Sequence, residues 1–150
     1  GKLGLWSAKS GFVDPNGEIL KKGGFEKLAI ADPKAAPYGE AARQTLAKLG
    51  LWETLEPKIV KGTSIGQAYQ FVASSSVPLG FVALAQVLKD GKIPGSAWVV
   101  PQKNYTALVQ DAVLLKKGEN NAAAKAFLQF LKTKQATGLI KASGYSLKVD

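Results

Sequence analysis

The sequence predicts an α/β fold with a mainly parallel sheet flanked by helices, and three observations carry that expectation. Apolar stretches of strand length alternate with stretches of helical periodicity, as in crossover units. Leu79 to Leu84 is a continuous apolar run, the mark of a strand covered on both faces. Two helices start just after short strand-like segments, at Pro37 and at Ser64. The 150 residues suffice for one core, or for one domain plus part of another.

In chain order, Lys2 to Ala8 reads as a strand. Ser10 to Gly24 is a loop with turn signals at Asp14-Pro15-Asn16-Gly17 and Gly23-Gly24. Lys27 to Ala31 is a short buried strand that stops at Asp32-Pro33. Pro37 opens a helix reaching about Leu49, with Ala41, Thr45 or Leu46, and Leu49 on one stripe; Gly50 ends it. Ile59-Val60 is a short strand. Ser64 begins a helix in which Ile65, Ala68 or Tyr69, and Val72 repeat at helical spacing, and Ser74-Ser75-Ser76 closes it. After the run at Leu79, a helix over Ala85 to Lys89 ends at Asp90-Gly91, and Ala97 to Val100 is a strand before Pro101. Asp111 to Lys116 reads as a further strand. Helices over Ala122 to Lys132 and Gln135 to Ala142 complete the chain, with Gly144-Tyr145 ending the second.

Composition removes several function classes. The chain has no His and no Cys, which takes away the usual zinc and copper ligands, the thiol nucleophiles and the commonest general base. A serine triad lacks its histidine, and the 11 acidic residues are scattered without pairing. No P-loop, G-x-G-x-x-G or G-x-S-x-G occurs. An enzyme is therefore not expected. The net charge of +9 raises nucleic acid as a partner. Yet Arg43 is the only arginine, and the lysines are singles apart from Lys21-Lys22 and Lys116-Lys117. That spacing describes a solvated basic surface, able to steer an anion, rather than a nucleic-acid face. Trp6, Trp52 and Trp98 lack the spacing of a stacking platform and read as packing residues. Gly1 to Trp6 has neither the charge layout nor the apolar length of a signal peptide. With no Met, the chain as written does not begin at its own initiator and is expected to be processed, excised or truncated.

Two places pair a strand-like segment with a helix start rich in small residues: Asp32 to Glu40, and Gly62 to Gln67. The first turn of a helix leaves N–H groups without intrahelical partners, and the helix dipole adds partial positive charge there. Gly39 and Gly66 are expected to let a ligand approach the backbone. Two such starts facing one cleft would hold an anion without a charged side chain. Alone, each has an ordinary explanation: Pro37 suits any first helical turn, and Ser64 with Gln67 is a capping box. Glu40 stabilises its helix start without touching a ligand.

The stretches Gly1-Lys2-Leu3 through Leu5-Trp6-Ser7-Ala8-Lys9, Ala35-Ala36-Pro37-Tyr38-Gly39, Ser64-Ile65-Gly66-Gln67-Ala68 and Leu79 to Gln86 closely resemble the periplasmic molybdate-binding proteins of ABC importers. Ile93-Pro94-Gly95-Ser96, Ala123 to Lys132 and Ala142 to Tyr145 extend the likeness. The resemblance implies a two-lobed class II periplasmic binding fold with the oxyanion between the lobes. It implies that Tyr38 and Ile65 each donate a backbone N–H to the anion, with Gly39, Ser64 and Gly66 in the same helix starts. Ile65 stands where the family usually has valine. A tyrosine hydroxyl found in some members has no counterpart here, since its place is taken by Ala83.

The likeness covers this whole chain but roughly the last two-thirds of a typical member. It implies that residues 3–108 are lobe two and residues 109–150 the return into lobe one, whose N-terminal part is absent. The expected function is capture of molybdate or tungstate in the periplasm and delivery to a membrane permease, with no cofactor, no coordinated metal cation and no nucleic-acid partner. Weak or undetectable binding by this portion alone is expected, and an apolar face on the helix at Ala122 that self-association or the missing portion would cover. The alternatives are a ligand-sensing domain of a transcription regulator and a basic nucleic-acid-binding protein.

Overall fold

The computed structural model describes residues 1–147. Five strands form one sheet: β1 (Leu3–Ser7), β2 (Leu28–Ala31), β3 (Ile59–Gly62), β4 (Leu79–Ala83) and β5 (Ser96–Val99), in the order β3-β2-β4-β1-β5. β2 pairs in parallel with both β3 and β4, while β1 is antiparallel to β4 and β5. Four strands therefore run one way and β1 runs against them. That is the expected mainly parallel sheet, with one reversed strand that alternation of side chains does not reveal.

Both faces of the sheet are covered, which is why β1, β2 and β4 are buried at every position. On one face Leu3, Leu5, Leu28, Ile30, Leu79 and Phe81 meet Tyr38, Ala41, Ala42 and Leu46 of α2 (Pro37–Lys48). On the other, Trp6, Ala29 and Val82 meet Val72 of α4 (Ile65–Ala73). Each such Leu, Ile or Phe contributes about 1.5–3 kcal/mol of transfer free energy. Trp6 and Trp98 are buried and Trp52 packs on the first core, so the tryptophans are indeed packing residues; Trp6 also stacks on Tyr69 at 5.6 Å.

Three one-turn helices punctuate the loops: α1 (Ile19–Lys22), α3 (Trp52–Leu55) and α5 (Leu84–Val87). α1 and α3 were not foreseen, because a single turn carries no periodicity. The Asp14 carboxylate holds the α1 turn by accepting N–H bonds from Asn16, Glu18 and Ile19 at 2.9–3.0 Å. Burial raises the Asp14 pKa, but these bonds outweigh it and the net shift is downward.

After Tyr105 the architecture changes. The strand expected over Asp111 to Lys116 does not form, and no described strand lies beside that stretch. Ala112-Val113-Leu114-Leu115 has strand propensity, but a strand exists only with a partner to pair with. Two helices follow, α6 (Ala122–Phe130) and α7 (Lys134–Ala142). Asn121 caps α6 through the Ala124 N–H at 3.1 Å, and Thr133 caps α7 through the Ala136 N–H at 3.3 Å. Among the described residues beyond Tyr105, Ala136 is the one buried hydrophobic residue, whereas Phe127 is 59% exposed. The end of the 109–150 segment, residues 148–150, lies outside the described residues. No helix among the described residues is long and apolar enough to cross a membrane.

Candidate functional site

β2 and β3 are adjacent and parallel, so their carboxyl ends lie side by side, with Ala31 opposite Gly62. The Asp32 N–H donates to the Gly62 carbonyl at 2.7 Å and locks the two exits together. From these neighbouring ends the chain departs to opposite faces, into α2 on one side and α4 on the other. Adjacent strands whose helices leave to opposite faces create a crevice at the carboxyl edge of a sheet, the usual ligand position in open α/β folds. The Ile65 side chain packs against the core cluster that contains Tyr38.

Hydrogen bonding at these starts leaves defined donors over. In α2 the N–H groups of Gly39 and Glu40 both reach the Ala36 carbonyl, at 3.0 and 3.1 Å, and Pro37 has no N–H. The Tyr38 N–H has no acceptor among the described residues. In α4 the Gln67 N–H bonds to Ser64 Oγ at 3.2 Å, and Ala68 N–H to the Ser64 carbonyl at 3.1 Å. The Gln67 side chain accepts from Thr63 N–H at 2.6 Å, one residue before its place in a standard capping box. The N–H groups of Ser64, Ile65 and Gly66 are left without acceptors among the described residues. Each helix adds the positive end of its dipole.

The two glycines have different roles. A Cβ on Gly39 would lie 2.3 Å from the Ala31 carbonyl oxygen and 2.7 Å from the Asp32 carbonyl carbon. Gly39 is buried and its own N–H is occupied, and its lack of a side chain seats α2 against the end of β2. At Gly66 a Cβ would meet only Ser64 Oγ, at 3.6 Å, so the space beside its backbone is open.

Charge at the α2 start is neutralised locally. Arg43 grips Glu40 through Nε and Nη2 at 2.8 and 2.7 Å, and Gln44 adds a bond at 3.0 Å. The bond from Arg43 is the main reason the Glu40 pKa lies below its ordinary value. The single arginine thus pairs with a carboxylate near the site instead of offering its charge to a ligand. The Tyr38 phenol is pushed up to about 12 by burial, with Tyr145 and Tyr105 adding to the shift. It stays neutral at any ordinary pH and adds no negative charge. A cleft of about 460 Å³ lined by Gly1, Leu108, Val109, Ile140 and Tyr145 opens nearby, but its apolar lining does not suit a small anion.

Sequence reasoning gave no role to Gln86, on α5. Its Oε1 accepts the Ala83 N–H at 3.0 Å and its Nε2 donates to the Ile65 carbonyl at 3.4 Å. The contact joins residues 21 apart in sequence, and no local pattern announces it.

The sheet, covered on both faces, carries two helix starts at the carboxyl edge of its parallel strands, with first-turn amides that find no acceptor among the described residues. The family described as bacterial extracellular solute-binding protein matches residues 3–146, and the chain belongs to it. The molybdate-binding protein ModA of Azotobacter vinelandii is 57% identical over 149 residues, covering 99% of this chain and 59% of that protein. ModA of Rhodobacter capsulatus is 56% identical over 145 residues, covering 97% and 56%. The solved structure of the Azotobacter vinelandii periplasmic molybdate-binding protein superposes with a TM-score of 0.93 at 45% identity, covering 99% of this chain and 66% of that one. The chain thus spans less than two thirds of the length of these relatives.

Proposed function

We propose that this chain is the carboxyl-terminal portion of a periplasmic solute-binding protein that captures molybdate or tungstate and delivers it to the permease of an ABC importer. The observation that carries the reading is the set of N–H groups at Tyr38, Ser64, Ile65 and Gly66 that find no acceptor among the described residues, on two helix starts that leave adjacent strand ends. Donors fixed by helix geometry suit a tetrahedral oxyanion, because they bond its oxygens with no proton to lose and no side chain to reorganise. Selection rests on cavity size and donor direction, and the work is binding rather than bond-making. The likeness to two molybdate-binding proteins supports molybdate as the anion.

In this reading residues 3–108 form lobe two and residues 109–150 belong to lobe one. The donors described here then surround one side of the anion. A dianion removed from water needs nearly all its oxygens bonded, so binding by this chain is weak. Titration of the 15N-labelled chain with sodium molybdate tests the proposal. The amide signals of Tyr38, Ile65 and Gly66 should shift together along one saturation curve, with a dissociation constant weaker than micromolar. Shifts confined to surface lysine neighbourhoods would refute the site. A submicromolar constant would refute the one-sided account.

A further inference from the structure

We propose that Gln86 is a positioning residue for the anion site, holding the start of α4 against the end of β4 so that its free amides face the crevice; the inference rests on the site reading above. The carboxamide is placed to do this because it bonds in both directions. Its oxygen takes the N–H of Ala83, where β4 ends, and its nitrogen gives a bond to the carbonyl of Ile65, in the first turn of α4.

The carbonyl it grips belongs to the peptide unit between Ile65 and Gly66. A peptide unit is planar and trans, so its C=O and N–H point in opposite directions. Holding the Ile65 oxygen therefore fixes where the Gly66 N–H aims. A bond at the carbonyl also polarises the same unit and strengthens its N–H as a donor. Among the described residues α2 has no equivalent hydrogen bond to α5: its start is held by the bonds at Ala36 and by the close seat of Gly39 on Ala31. Loss of Gln86 should therefore disturb one half of the donor set and spare the other. Gln86 is partly buried, and its apolar neighbours Leu84 and Val87 anchor the turn independently.

Gln86→Leu removes both bonds at similar size. Gln86→Glu keeps the acceptor for Ala83 but, once ionised, has nothing to donate to Ile65. Both variants and the parent chain are titrated with sodium molybdate and followed amide by amide. The expected result is a five- to tenfold weaker affinity in Gln86→Leu, with the Ile65 and Gly66 shifts reduced or redirected and the Tyr38 shift retained. Gln86→Glu should lose at least as much. Equal responses of all three amides in parent and variants would overturn the role of Gln86 and leave the site standing. A uniform loss at Tyr38, Ile65 and Gly66, with the ligand-free spectrum changed throughout, would also overturn it, in favour of a general structural role. Silence of all three amides in the parent chain would overturn the site itself, and this proposal with it.

Discussion

Phe81 on β4 and Phe127 on α6 are both aromatic residues on regular elements, yet the first is fully buried and the second is 59% exposed. The same contrast holds between helices. α2 turns Tyr38, Ala41, Ala42, Thr45 and Leu46 into the core, whereas α6 buries none of its residues. α6 is amphipathic and capped by Asn121, so its local pattern is that of an ordinary surface helix. What it lacks is a surface to pack on. A sheet-bearing body closed on both faces and a carboxyl-terminal stretch with an open apolar face teach that local pattern makes an element, while only tertiary partners give it a core.

The largest effect separates the two phenylalanines directly. Phe81→Ala should cost about 3–5 kcal/mol, as a large core truncation does. Phe127→Ala should stay within about 0.5 kcal/mol, as for an unpartnered surface residue. Urea unfolding of both variants measures this, and similar losses would erase the contrast.

The two site glycines sharpen the comparison within the body. Gly39→Ala pushes a methyl into the Ala31 backbone and should lower stability by about 1–3 kcal/mol. Gly66→Ala enters open space and should leave the thermal midpoint equal or slightly higher, since alanine favours a helix by up to about 1 kcal/mol. It should nonetheless weaken the molybdate-dependent amide shifts.

A smaller effect comes from the Tyr38 phenol. Its folded pKa is raised from 10.0 to about 12, so the folded state keeps the proton longer than the unfolded chain does. Stability from this group is complete below pH 10 and falls as pH rises toward 12. Tyr38→Phe should flatten that part of a stability-versus-pH curve. The smallest effect concerns the open face: Phe127→Lys with Leu139→Lys should reduce binding of a hydrophobic dye while changing stability by less than about 0.5 kcal/mol.

Much of the body was legible in the sequence because its strands are covered on both faces and read as apolar runs. β2 and β4 were placed to within a residue, and the helix starts at Pro37 and Ser64 fell where proline and capping chemistry put them. β3 was read as only Ile59-Val60, because Lys61 and Gly62 look like a loop; on an edge strand, polar residues are tolerated. The strand expected at Asp111 failed for the converse reason, since propensity without a neighbouring strand forms no ladder. In the proposed site, Tyr38, Ile65 and Gly66 follow from local cues and resemblance. The packing role of Gly39 and the bridge of Gln86 do not, because both depend on contacts made only when distant segments meet.

The claim that matters most is that two helix starts, one at Tyr38 and one at Ile65, serve a single oxyanion. Diffraction from crystals soaked in sodium tungstate tests it most directly, since tungsten gives a strong anomalous peak. The account predicts one principal peak between the two turns, its oxygens within hydrogen-bonding distance of both the Tyr38 and the Ile65 amide nitrogens. A principal peak beside surface lysines, or one touching a single helix start with the other turned away, would contradict it.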